Sequence, residues 1–154
     1  MATSNEDLLR RQGEELAHTA SLLAMIPGGP ELLEWFGDVP EFADGEIVCL
    51  SLDRSGSSEL RVFLEHFGKS VVIAFKLSDW IDVDVRGFSH QNVLGGLKLR
   101  RPEERGAQPW ELGVGLKPGE FVIELEPCFG AYGNIRASIS RITIEETAAR
   151  ARWL

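Results

Sequence analysis

Trp80, Asp82 and Asp84 are the side chains with the clearest capacity for chemistry, and that chemistry is recognition. They alternate with Ile81, Val83 and Val85, so on an extended strand the aromatic and both carboxylates share one face while the aliphatics take the other. Large aromatics carry interface energy, and charge steers encounter. Such a face suits a basic protein surface. The competing reading is an edge strand kept soluble by its acids, with Trp80 tucked under a loop. Two carboxylates are too few for a hard cation that wants six or more oxygens, so no metal site is expected here.

Other constellations are weaker. The run Glu41-Phe42-Ala43-Asp44-Gly45-Glu46 gathers three acids around an aromatic; Glu41 and Asp44 are candidate contacts, while Phe42 plugs a core and Asp44-Gly45 turns the chain. Phe88-Ser89-His90-Gln91-Asn92 carries enough polar groups to hold something small, and with the 41–46 loop it would form a pocket in a ligand-binding or enzymatic β domain. Its simpler role is a loop whose Gln91 and Asn92 satisfy backbone groups. His18, His66 and His90 each lack a neighbouring ligand set. Cys49 and Cys128 have neither metal-like spacing nor the basic, histidine-bearing setting of a thiolate nucleophile. Gly113-Val114-Gly115 sits in an alternating strand with no helix after it, which excludes dinucleotide geometry. No catalytic residue and no cofactor are expected.

The elements that must position these residues follow from periodicity. Ser4 with Asp7 can cap a helix over about 5–24, in which Leu9, Leu16 and Leu23 recur at heptad spacing. Pro27-Gly28-Gly29 breaks it, and a short helix from Pro30 to Phe36 ends at Gly37. From Glu46 to Glu145 a period of two takes over. Val48, Leu50 and Leu52 pair with Leu60, Val62 and Leu64 across an Arg54-Ser55-Gly56-Ser57 turn. Val71 to Leu77 and Ile81 to Val85 form two strands or one long bent strand. A short Leu97–Leu99 strand follows the Gly87–Gly96 loop. Trp110 to Leu116 and Phe121 to Leu125 form a hairpin through Lys117-Pro118-Gly119. In the last strand Ile135, Ala137 and Ile139 fall on one parity and Ile142 and Ile144 on the other, which predicts a bulge or bend near Ser140-Arg141. The tail after Glu146 is a frayed helix or disordered.

These elements imply an α+β chain: a mainly antiparallel curved β-sheet or sandwich of about seven or eight strands, with one or two N-terminal helices on one face or edge. One domain accommodates all 154 residues, with a helical part over 5–36 and a β part over 46–145. The 44% hydrophobic and 26% charged residues are those of a globular protein. A formal charge of −8 argues against a surface that tracks a nucleic-acid backbone. The acidic N-terminus and the lack of a long apolar run predict a cytoplasmic address without membrane contact. Cys49 and Cys128 read as reduced thiols in that compartment, with a single disulfide as the alternative.

The order of short motifs carries a resemblance. Pro30-Glu31-Leu32-Leu33 leads to Trp35-Phe36-Gly37, then to Phe42 and Asp44-Gly45-Glu46-Ile47, to Phe75, to Gly87-Phe88 with Gln91-Asn92-Val93, and to a closing glycine-containing strand pair. Over roughly Pro30 to Ile144 the chain resembles the immunity protein 50 family of bacterial polymorphic toxin systems. In that family's pattern a histidine stands where this chain has Ala43, so only Phe42 and Asp44 of the Phe-His-Asp triplet carry over. The resemblance implies a small bacterial cytoplasmic protein, monomeric or homodimeric, that binds and neutralises a cognate toxin with a basic surface and catalyses nothing itself.

Overall fold

The structure is a computed structural model and describes residues 4–105 and 119–147. Helix α1 spans Asn5–Leu23, and the Ser4 hydroxyl caps it by accepting from the Asp7 N–H at 3.2 Å. Helix α2 runs Gly29–Phe36 and stops at Gly37, whose φ of 78° closes the last turn. The strands are β1 Glu46–Ser51, β2 Ser58–His66, β3 Lys69–Arg86, β4 Gly96–Arg100, β5 Glu120–Glu126 and β6 Tyr132–Thr147. A 3-10 turn, Pro102–Arg105, follows β4.

Among the described residues these six strands make one open antiparallel sheet, ordered β1-β2-β3-β6-β5-β4. It is the curved single sheet, with no second layer of strands to make a sandwich. Because β3 is one long bent strand rather than two, the expected count becomes seven, and the described six lack only the Trp110 to Leu116 strand. The Trp110 to Leu116 half of the expected hairpin, Gly113 to Gly115 within it, and most of the tail lie outside the described residues. Phe121 to Leu125, the other half, forms β5 between β4 and β6.

The core lies on one face. Leu60 and Val62 from β2, Ile73 and Phe75 from β3, Ile123 from β5 and Ile135 from β6 point inward against Leu22, Leu23, Ile26 and Leu32 of the helical part, and Phe42 closes the layer as its sequence context suggested. Two bulges keep this face apolar. In β6, Lys76 pairs with Arg141 and Leu77 with Ile139, so Ser140 is the extra residue; its hydroxyl donates to the Lys76 carbonyl at 3.3 Å. The parity change from Ile139 to Ile142 is resolved there, as predicted. In β1 the expected Val48-Leu50-Leu52 phase is wrong. Ile47 pairs with Val62 and Leu50 with Leu60, Val48 being bulged out between them. Ile47 and Leu50 are therefore the core residues, and Leu52 is exposed.

The two rims of the sheet are treated differently. On β4 the Leu99 N–H, which points away from the sheet, donates to Thr19 Oγ1 of α1 at 3.2 Å. Arg100 Nη2 reaches Glu15 of the same helix at 3.3 Å, and Lys98 bridges Glu15 to Glu126. Helix α1 thus covers that rim and satisfies one of its donors. The Lys98 hydrogen bond holds the Glu15 carboxyl below its ordinary value of 4.5, against the upward push of burial and with help from the Lys98 and Arg100 charges. Burial alone would lower Lys98; hydrogen bonds to Glu126 and Glu15 outweigh it and leave the ammonium raised. A carboxyl depressed on folding contributes stability that is complete above its unfolded pKa and is lost as pH falls through the lower folded value. Glu15→Gln should therefore cost under about 1 kcal/mol at neutral pH, the group being partly solvated. The gap in melting temperature between variant and parent should close as pH drops below 4.5.

Candidate binding surface

The far half of β3 is built for display. β2 begins at Ser58, opposite Leu77, so among the described strands none pairs with that side of β3 beyond this point. Asp79 then takes a left-handed φ of 59°, and the β6 pairing skips from Ser78↔Ser138 to Asp82↔Arg136. Strand pairing resumes as Val83↔Ile135, Asp84↔Asn134, Val85↔Gly133 and Arg86↔Tyr132. An even number of extra residues in the bulge preserves parity. Ile81, Val83 and Val85 stay half-buried against the core, while Trp80, Asp82 and Asp84 are exposed on the opposite face, Trp80 by 51%.

The charges on this face are only partly answered. Asp84 lies 3.6 Å from the Arg86 Nε, both side chains being well solvated, so the pair is worth little. Asp82 stands opposite Arg136, but that guanidinium donates to Glu120 at 2.5 Å in a nearly buried pair. Asp82 and Asp84 therefore share this face with one base of the same strand, Arg86. Tyr132, opposite Arg86, continues the face with a second half-exposed aromatic, and Phe88 and Phe129 are exposed beyond the strand end. Sequence reasoning missed Tyr132; once the Ser140 bulge is placed, its even parity with Asn134 and Arg136 would have set it on this face.

Glu41 and Asp44 are not on this surface. Asp44 turns the chain at a φ of 68°, and its N–H donates to the Leu94 carbonyl at 2.9 Å. Glu41 lies on the rim of a half-open cleft of about 540 Å³ between α1, the 38–43 segment and the start of β4, lined also by Glu15, Phe42, Leu97 and Lys98. The five candidates thus fall into a β3 group of three and a corner group of two.

The 41–46 and 88–92 loops do meet, through hydrogen bonds. Gln91 Nε2 donates to Glu46 at 3.2 Å, the Ile47 N–H to the Asn92 carbonyl at 2.9 Å, and the Leu94 N–H to the Gly45 carbonyl at 2.8 Å. The buried Asn92 accepts from the N–H groups of Ser89 and Ala131 through Oδ1, at 2.9 and 3.0 Å, and donates to the Ser89 carbonyl. Val93 bridges Glu46 to Phe129, tying the β1 rim to the turn before β6. Asn92 thus satisfies backbone groups as expected, whereas the Gln91 amide goes to the Glu46 carboxylate.

One aromatic cluster had no sequence signal beyond its turn glycine. At the β2–β3 hairpin Phe67 takes a φ of 48° and is 92% exposed, with its ring 4.4 Å from that of His66. His66 in turn packs against Phe36 and Trp35 of α2. Cys49 and Cys128 are unbridged. Among the described residues no group of three His, Cys, Asp or Glu side chains is arranged to hold a metal ion, and no helix is long and apolar enough to cross a membrane. No family model matches the chain, and neither a curated protein nor a solved structure does.

Proposed function

We propose that this chain is a non-enzymatic binding protein of the immunity type, which neutralises a cognate toxin domain in the bacterial cytoplasm by covering a basic surface of it. The observation that carries this reading is the half-exposed Trp80 beside Asp82 and Asp84, on a strand that pairs with β6 from Asp82 onward. A rigid aromatic anchor loses little conformational freedom on binding, and two under-neutralised carboxylates give a cationic partner both attraction and register. Glu41 and Asp44 form a second acidic contact region, at a separate corner. The resemblance of the Pro30–Ile144 motifs to the immunity protein 50 family supports the same reading.

The test is co-purification and calorimetry with the product of the adjacent gene, comparing the parent with the Asp82→Lys/Asp84→Lys double variant. Both residues are exposed, so the fold and melting temperature should be retained while affinity falls at least about 30-fold, or about 2 kcal/mol. A complex of undiminished affinity would show that this face is not the interface.

A second reading, a small-ligand or enzymatic β domain, is favoured by the cleft beside Glu41, where Phe42 and Leu97 supply apolar wall and Glu15 and Lys98 supply charge. Native mass spectrometry of the purified chain separates the two: a retained metabolite supports the cleft, and the bare chain mass counts against it.

A further inference from the structure

Helix α1 has more apolar surface than its own fold covers. Its last turns pack inward through Thr19, Leu22 and Leu23, but from Ser4 to Glu14 every residue except Asp7 is exposed. Leu9 is 67% exposed and Leu16 42%. Residues four and seven apart share a helix face, so Leu9, Gly13, Leu16 and Ala20 lie in one stripe next to the core-facing side. Glycine is the poorest helix former after proline. A methyl built on Gly13 would meet nothing beyond its own helix within 4 Å, so no described residue packs against it. A second helix would give this glycine a role, because two helix axes approach most closely where the side chains between them are smallest.

We infer that this stripe is covered by a second copy of the chain, its α1 lying antiparallel on the first about a two-fold axis between Gln12 and Gly13. That register sets each Leu9 level with the Leu16 of the other copy. The charges beside the stripe are self-complementary in the same register. Arg10 and Glu14 lie on one flank of it, and each Arg10 comes within one residue of level with the Glu14 of the other copy, while on the opposite flank Gln12 meets its own symmetry mate amide to amide. Within one copy Arg10 makes only solvated contacts, 3.4 Å to Asp7 and 4.0 Å to Glu14, so turning towards the second copy costs little. Two copies of a chain with a charge of −8 need a contact where the signs alternate. The α1 stripe offers one, whereas the Trp80-Asp82-Asp84 face laid on itself would set acid against acid. An antiparallel pair also keeps the two bodies apart, because each body packs on the C-terminal turns of its own α1. No residue of this contact belongs to the toxin-binding faces, so the pairing stands or falls without the binding reading.

The overlap is about 24 Å of helix from each copy, small for a specific interface, so the pair should dissociate with a Kd on the order of 10–100 μM. Sedimentation equilibrium of the full chain, from about 5 to about 500 μM, should follow a monomer–dimer equilibrium in that range. A monomer throughout overturns the inference. Leu9→Glu, at an exposed site, should weaken pairing at least about 10-fold with helix content unchanged; a dimer of unchanged affinity would place the contact elsewhere. The charges test the register. Glu14→Arg lowers the net repulsion between copies, yet in this register it sets Arg against Arg and should weaken the pair at least about 3-fold. Adding Arg10→Glu to it exchanges the two signs and should restore the affinity to within about twofold of the parent. If Glu14→Arg tightens the pair, or the exchange fails to rescue it, the antiparallel register is wrong.

Discussion

Gly133→Ala should destabilise the chain by about 2–5 kcal/mol, read as a drop of several degrees or more in thermal unfolding. Gly133 lies in β6 opposite Val85, at a φ of 136°, and a methyl built on it would run into the Asp84 carbonyl. Two costs combine. An L-residue there adopts a backbone conformation that costs about 1–2 kcal/mol, and the overlap forces β6 and β3 apart, typically about 1–3 kcal/mol more. Gly56→Ala separates them, because Gly56 also has a positive φ, 102°, but a methyl there meets nothing within 4 Å. It should show the conformational cost alone. The clash falls where Asp84 is displayed, so Gly133→Ala should also weaken partner binding, whereas Gly56→Ala should leave it intact.

Asn92→Ala should cost about 2–4 kcal/mol and abolish slow amide exchange at Ala131. Asn92 is only 4% exposed, and its amide serves three backbone groups. Removing it strands the buried Ala131 N–H without its acceptor, and each buried donor left unmade costs about 1–3 kcal/mol. Asn92→Asp keeps both acceptor bonds but sets a carboxylate oxygen against the Ser89 carbonyl, so it should also lose stability while retaining slow exchange at Ala131. If both variants melt with the parent, Asn92 is not what joins the 87–95 loop to the start of β6.

What was legible in the sequence was local. Ser4 three residues before Asp7 announced its cap, and the parity change between Ile139 and Ile142 announced a bulge that the structure places at Ser140. The Trp80-Asp82-Asp84 face was readable because its intervening residues are uniformly aliphatic. The β1 bulge was not, because Ile47 and Val48 are both apolar and no parity rule is violated by choosing the wrong one. Nor could the insertion of β6 between β3 and β5 be read, since it joins residues such as Ile73 and Ile144 that lie far apart in the chain. That insertion sets Tyr132 beside Arg86 and makes β6 the pairing strand of Asp82–Arg86. The Glu15–Lys98–Glu126 bridge depends on α1 lying along β4, for which no spacing gives a signal.

The way α1 seals β4 has a consequence for solution behaviour. Fibrous growth needs two adhesive sides per molecule, so that each newcomer offers the next a place to dock. Here Thr19 occupies the outward Leu99 N–H and the helix lies against the strand, so the β4 flank offers no such place. A concentrated stock should stay clear where a sheet open on both flanks would gel.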